Sequence, residues 1–165
     1  MTIKIIKYSE VYKVQLVKMI HGLYIEDPEG ETMDDGKIAA TIEYAQAYPD
    51  SLKIYMIMDD DNSTIDCHAL DQPIGYAIIQ LIWSNEFGGL TANIDEMYIV
   101  QNARGLAAGS DFIEKLSEII PEINRITLEV TPSNESALKL YERLGFKLAE
   151  NTMMEKIIGS LKGTK

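Results

Sequence analysis

The chain has 165 residues with 26 acidic against 15 basic side chains, a formal net charge of −11, which argues against a nucleic-acid partner, because such a partner demands a basic face. With 46% hydrophobic and 25% charged residues it suits one globular domain spanning 1–165. A single cysteine, Cys67, excludes an internal disulfide, the opening residues lack the pattern of an export signal, and no apolar stretch is long enough to cross a membrane; a cytoplasmic protein with no membrane partner is expected.

In chain order, Thr2–Tyr8 alternates isoleucines with lysines and is predicted as a first strand. Ser9 is placed to cap a helix whose apolar stripe runs through Val11, Val14, Leu16, Val17, Ile20 and Leu23. From Tyr24 to Gly36 the pattern collapses into an acidic loop broken by Pro28, Gly30 and Gly36. Lys37–Tyr48 reads as a second helix, and strands are expected over Leu52–Met58 and Pro73–Trp83. The run from Asp59 to Thr64 looks like the start of a calcium loop, but it lacks the glycine at the sixth position and has Leu70 where the twelfth demands glutamate, so a polar connection is predicted. His21, His68 and Cys67 are too few and too scattered for a metal site, and no metal is expected.

The stretch Asn93–Ser110, NIDEMYIVQNARGLAAGS, organises the rest. Ile94–Val100 reads as a buried strand interrupted by Asp95 and Glu96. Arg104-Gly105 and the small residues Ala107, Ala108 and Gly109 then open a helix patterned by Phe112, Ile113, Leu116, Ile119 and Ile120, ending at Pro121. Small residues at a helix start let backbone N–H groups approach a ligand, and their unpaired donors and the helix dipole favour an anion. A phosphate-sized anion site is therefore expected near residues 104–110, beside the plainer reading of capping and tight packing. Neither a GxGxxG nor a GxxxxGK[ST] loop is present. Arg125–Val130 reads as a further strand, Pro132–Asn134 starts a helix around Tyr141, and Gly145 stands where a left-handed cap belongs. One or two final strands are expected over Phe146–Ile158, then a loose tail over 159–165.

Two motifs carry a resemblance. Arg104-x-x-Ala107-x-Gly109 resembles the (Gln/Arg)-x-x-Gly-x-(Gly/Ala) signature of the GNAT superfamily of N-acetyltransferases, and the run from Asn134 through Ala137 and Tyr141 to Gly145-Phe146 resembles that family's N-x-x-A-x-x-x-Y-x-x-x-G-F segment. The likeness is best over Pro73–Met154 and extends loosely to diamine and polyamine acetyltransferases. It implies an α/β, single-domain GNAT fold: a central, mixed, mostly antiparallel sheet flanked by helices, with a splayed central strand. It implies acetyl-CoA as cosubstrate, its pyrophosphate held at Arg104, Gly105, Leu106, Ala107, Ala108, Gly109 and Ser110. Its pantetheine arm would run beside Met97, Tyr98 and Ile99, where a β-bulge is expected. Asn134 would contact the pantetheine or simply anchor its helix. Homodimers are common in the family.

Acetyl transfer to an amine needs a held thioester, a neutral amine, stabilisation of the developing oxyanion and a proton for the departing thiolate. By the motif match Tyr141 is the candidate general acid, against the plainer reading of a core tyrosine spaced with Leu138 and Leu144. The candidate base is Glu96, which fits the family position, or Asp95; alternation along a strand sends them to opposite faces, so only one is expected in the cleft. Ala107 departs from the family glycine, and close approach rather than positive φ is the expected reason for a small residue there. The acidic balance either serves solubility alone or draws a cationic amine toward an acidic cleft. The function expected is transfer of acetyl to a primary amine, with a non-catalytic CoA-binding module or a protein N-acetyltransferase as alternatives.

Overall fold

The computed structural model describes residues 2–26, 32–60 and 72–159. The heart of the acidic loop (27–31), the connection 61–71 with Cys67 and His68, and the tail 160–165 lie outside the described residues. The chain divides into two compact units, Met1–Glu129 and Val130–Lys165.

The first unit runs β1 (Ile3–Lys7), α1 (Lys13–Glu26), α2 (Asp35–Ala47), β2 (Leu52–Asp59), β3 (Pro73–Ser84), β4 (Gly89–Ile99), α3 (Ala108–Ile119) and β5 (Ile123–Leu128). Its strands form one sheet in the order β1-β2-β3-β4-β5, antiparallel except for the parallel pair β4 and β5. A parallel pair needs a crossover, and α3 supplies it. The expected α/β class with a mixed, mostly antiparallel sheet is therefore what forms.

Both faces of the sheet are covered, which is why β2 and β3 read as nearly unbroken apolar runs. Ile54, Met56, Met58, Tyr76 and Ile78 form one core with Leu16, Met19 and Ile20 of α1 and Ile38 and Ile42 of α2. The alternate residues Tyr55, Ile57, Ala77 and Ile79, all buried, point the other way, where the Phe112 ring of α3 meets Tyr55 at 6.3 Å. Asp34 caps α2, its carboxylate accepting from Lys37 N–H at 2.9 Å.

Several boundaries differ from expectation. Ser9 makes no side-chain cap bond, because a 3₁₀ turn over Glu10–Tyr12 intervenes before α1. The helix α1 does not stop at Leu23 but continues through Tyr24 to Glu26. Tyr24 extends the row Leu16–Ile20 by one turn, so packing on the sheet carries the helix into the acidic run. The strand β4 follows directly on the turn expected over Asn85–Gly89, being paired on both edges from Leu90.

In the second unit α4 (Glu135–Arg143) begins at Asn134, whose side-chain oxygen accepts from Ala137 N–H at 3.1 Å. Gly145 adopts φ 87° as expected, with Gly145 N–H donating to Glu142 at 3.1 Å and Phe146 N–H to Tyr141 at 3.0 Å, a Schellman closure. The strands expected over Phe146–Ile158 do not form among the described residues. A strand needs a ladder partner, and among the described residues of this unit none is in a strand. No helix among the described residues is long and apolar enough to cross a membrane.

Candidate active site

The strand β4 changes character at Asp95. Ile94 pairs with Ile79 and Glu96 with Ile78, so Asp95 is the extra residue of a β-bulge. On the other edge, pairing with β5 ends at Ile94 opposite Leu128. From Glu96 to Ile99, β4 is laddered to β3 alone, which is the splay expected. Val100 N–H donates to Ile74 at 2.9 Å, and the alternation of an antiparallel ladder then turns the peptide groups of Tyr98 toward β3 and those of Met97 and Ile99 toward the open edge. Arg104 Nε, donating to the Ile99 carbonyl at 2.8 Å, reaches it from that open side. Of the three residues expected along the pantetheine, Met97 and Ile99 thus offer backbone groups, and Tyr98 offers a side chain.

The bulge also corrects the expectation that Asp95 and Glu96 face opposite ways. Glu96 accepts from the Tyr76 hydroxyl, and Asp95 bonds to the Gln80 side chain. Tyr76 and Gln80 lie an even number of residues apart on β3, so both carboxylates share the sheet face that carries α1 and α2. The extra residue resets the alternation, and sequence spacing alone could not show it. Asn93 and Thr127 join the same face: Asn93 bonds to Gln80 at 3.2 Å, and Thr127 donates to Asn93 at 2.9 Å.

Glu96 is gripped at both oxygens, Tyr24 of α1 donating to Oε1 at 2.8 Å and Tyr76 to Oε2 at 2.8 Å. Burial pushes its carboxyl above the ordinary range, the two phenol bonds pull it back, and the neighbouring Asp95 charge adds a smaller rise. Both phenols are held protonated, raised first by burial and then by Glu96 itself. Asp95 keeps an exposed surface, yet burial of its carboxyl end, followed by the charge of Glu129, raises it, with the Gln80 bond acting against them. A carboxylate so placed can accept a proton near neutral pH more readily than a solvated one.

Beyond β4, Gly105 and Ala107 adopt φ 74° and 70°. The expectation that Ala107 is small for close approach is thereby corrected. The position is left-handed, which strains alanine by about 1–2 kcal/mol. The two left-handed residues turn the chain so that Ala108, Gly109 and Ser110 form the first turn of α3, where backbone N–H groups have no intrahelical acceptor. A methyl on Gly109 would lie 3.6 Å from Met97 Cε, an ordinary contact, so α3 starts directly against the open half of β4. Leu106 is exposed between them. Donor groups of a helix start beside a free strand edge fit an elongated ligand with an anionic end, as acetyl-CoA is.

Arg104 is held by the protein itself. Its guanidinium pairs with Glu26 at 2.6 Å and lies 5.1 Å from the Tyr98 ring centre, while the Tyr98 hydroxyl donates to Glu26 at 3.0 Å. Gly22 is what admits that ring: a methyl there would come within 3.0 Å of the Tyr98 hydroxyl. The end of α1 is thus joined to β4 at Glu96 and Tyr98, and to the segment after β4 at Arg104.

Asn134 and Tyr141 belong to the second unit. The Asn134 oxygen caps α4, the helix-anchoring alternative, and also accepts from Ser136 at 3.1 Å. Tyr141 is half-buried, its ring 5.7 Å from Phe146, and burial raises its phenol above the ordinary value. The sequence reading missed Tyr24, Tyr76, Gln80 and Glu129. Only Tyr24 had a local signal, its helical spacing from Leu16 and Ile20. Among the described residues no group of His, Cys, Asp or Glu could hold a metal ion.

No curated protein matches the chain. Solved structures with the same fold include a protein of Clostridium difficile 630 described as a possible acetyltransferase, with TM-score 0.76 and 17% identity, covering 97% of this chain and 100% of that one. An acetyltransferase of Trypanosoma brucei gives TM-score 0.65 and 16% identity over 94% and 100% of the two chains. AAC(6')-Iy, in complex with the bisubstrate analogue CoA-S-monomethyl-acetylneamine, gives 0.70 and 16% over 95% and 99%. The profile of the acetyltransferase (GNAT) family matches residues 18–146, most of the chain and parts of both units. With the splayed β4, the left-handed loop and the α4 motif in their expected order, the chain belongs to the GNAT acetyltransferase family and is an acetyl-CoA-dependent N-acetyltransferase.

Proposed function

We propose that this enzyme acetylates a small cationic primary amine by direct attack in a ternary complex, with Glu96 taking the amine's proton. The observation that carries the reading is the bulge at Asp95. It brings Glu96 and Asp95 onto one sheet face beside the open half of β4, with the Glu129 charge near enough to act on Asp95. A protonated amine is attracted by those charges and gives its proton to the least solvated of the carboxylates.

Bound acetyl-CoA supplies the activated acetyl group. In this reading the backbone N–H groups of Ala108–Ser110, with the loop Arg104–Ala107, hold its pyrophosphate, and the peptide groups of Met97 and Ile99 line the pantetheine. The family motif makes Tyr141 the general acid, and the phenol retains its proton at neutral pH as that role requires. Asn134 serves by fixing the start of the helix that carries Tyr141. The same reading takes residues 1–165 as a single domain, which the family match across both units supports. It takes the protein as cytoplasmic, consistent with its lone cysteine, and homodimeric, as family members commonly are.

The test is thiol release from acetyl-CoA with a panel of polyamines, aminoglycosides, amino acids and short lysine peptides. Aminoglycosides are on the panel because AAC(6')-Iy carries a neamine-derived analogue. Turnover confined to small polycations supports the proposal. Turnover only with peptides assigns a protein acetyltransferase instead, and coenzyme binding without turnover on any amine returns the chain to a binding role.

A further inference from the structure

Glu96 is the most enclosed carboxylate on the β4 face, and its surroundings are unusual in kind. A buried carboxylate needs donors, and an arginine or lysine beside it would supply them at the expense of basicity, since a fixed positive charge lowers the pKa strongly. Here the donors are two neutral phenols. Tyr76 is fully buried and reaches Oε2 from β3, while Tyr24 is half-buried and reaches Oε1 from α1. The charged and titratable groups facing Glu96 are Tyr24 from α1, Tyr76 from β3 and Asp95 on its own strand. Arg104, which lies over the Tyr98 ring, is tied to Glu26.

We infer that Tyr24 and Tyr76 are the positioning residues of Glu96, the two phenols fixing its carboxylate toward the open half of β4 while leaving it a competent base. The inference rests on the proposed function for its catalytic consequence, though not for its geometry. Tyr76 is the anchor, because no solvent reaches it. Tyr24 is the half-buried partner, covering Glu96 from the last turns of α1. Each phenol bond stabilises the charged form of Glu96, so losing one raises its proton affinity. The phenols cannot exchange roles with Glu96 by ionising, because burial and the adjacent carboxylate hold both protons in place.

The test separates the geometry from the chemistry. Glutamate side-chain carboxyls are labelled with carbon-13 in the full chain, the Glu96 signal is assigned by its loss in E96Q, and its titration is followed in the wild type and in Tyr24→Phe. The expected result is a Glu96 that titrates above the ordinary carboxylate range and gains about tenfold in proton affinity in Tyr24→Phe, the loss expected for one hydrogen bond to a charged group at a half-buried site. Tyr76→Phe, read in the same way, should act in the same direction and at least as strongly. An unchanged Glu96 titration in Tyr24→Phe overturns the inference. The ascending limb of kcat/KM against pH is then compared: if Glu96 is the base it moves upward with the titration, and the plateau falls because one of the two phenols that fix the carboxylate is gone. If the titration moves and the limb does not, the positioning stands and the assignment of Glu96 as base fails.

Discussion

The two halves of β4 form one strand and do different work. From Leu90 to Ile94 the backbone is laddered on both edges, and Thr91, Ala92 and Ile94 are buried. From Glu96 to Ile99 one edge is open and every side chain is partly exposed. A single extra residue, Asp95, separates them. The first half is bound by the rules of a core strand, in which each position is judged by packing. In the second, backbone groups of Met97 and Ile99 lack ladder partners and a carboxylate is held against its solvation preference, both of which weaken a fold. That instability is tolerated because the first half, β3 and α1 fix the second from three sides.

The largest expected break between the halves is Glu96→Gln. In the base role proposed for Glu96, its loss should lower kcat by roughly 10²- to 10⁴-fold. Stability should move the other way. The folded pKa of Glu96 is raised above its unfolded value, so its charge destabilises the fold increasingly as pH rises from the ordinary carboxylate range through the folded pKa. Glu96→Gln should therefore melt higher than wild type at pH 7, with the difference vanishing at a pH low enough to protonate Glu96 in both states. Thermal melts at the two pH values check this, and a lower melting temperature at pH 7 would show that the charged form is net stabilising.

The converse is Ile94→Ala in the paired half. Ile94 is 5% exposed, and truncating a core isoleucine costs about 2–5 kcal/mol. Denaturant unfolding should show that loss, while kcat per folded molecule stays within a few fold. Gly75→Ala probes the junction with β3. A methyl there would sit 2.5 Å from the Tyr98 carbonyl oxygen and 2.7 Å from Ile99 Cδ1. Because one of those atoms is backbone, β4 must shift; about 1–3 kcal/mol of stability should be lost. Here, unlike Ile94→Ala, the KM for acetyl-CoA should rise as well, since shifting Tyr98 and Ile99 moves the neighbouring peptide groups that face the open edge.

The difference between the halves also marks where the sequence stopped being informative. The order of strands and helices followed from apolar periodicity, and the turn into α3 from small residues before the Phe112–Leu116 pattern, because both are local. The pairing of Asp95 and Glu96 on one face was not legible, since a bulge is set by the register with β3 and β5 rather than by the strand itself. Nor were Tyr24 and Tyr76 legible as partners of Glu96, being 72 and 20 residues away in sequence. The acidic run concealed the last turn of α1, although Gly22 and Tyr24 lie at its functional end. The one or two final strands expected over Phe146–Ile158 do not form among the described residues, and a strand forms only where a ladder partner is met.

Ala107→Gly has the smallest expected effect and bears on the loop that the open half of β4 borders. Ala107 holds φ 70° as the residue before α3, a conformation in which its Cβ is crowded and glycine is free. Glycine relieves that strain but adds entropy to the unfolded chain, and the two together leave a gain of about 0.5–1 kcal/mol. No side-chain contact is lost, because Ala107 makes no side-chain cap bond. The N–H groups of Ala108–Ser110 should keep their directions, so the affinity for CoA should stay within about twofold. Denaturant melts and calorimetric titration with CoA measure the two quantities separately. A gain in stability with unchanged affinity would show that the alanine strains the loop without distorting its anion site. A large gain in affinity would show instead that the left-handed turn is incompletely formed in the wild type, and that its backbone donors are set only when the ligand arrives.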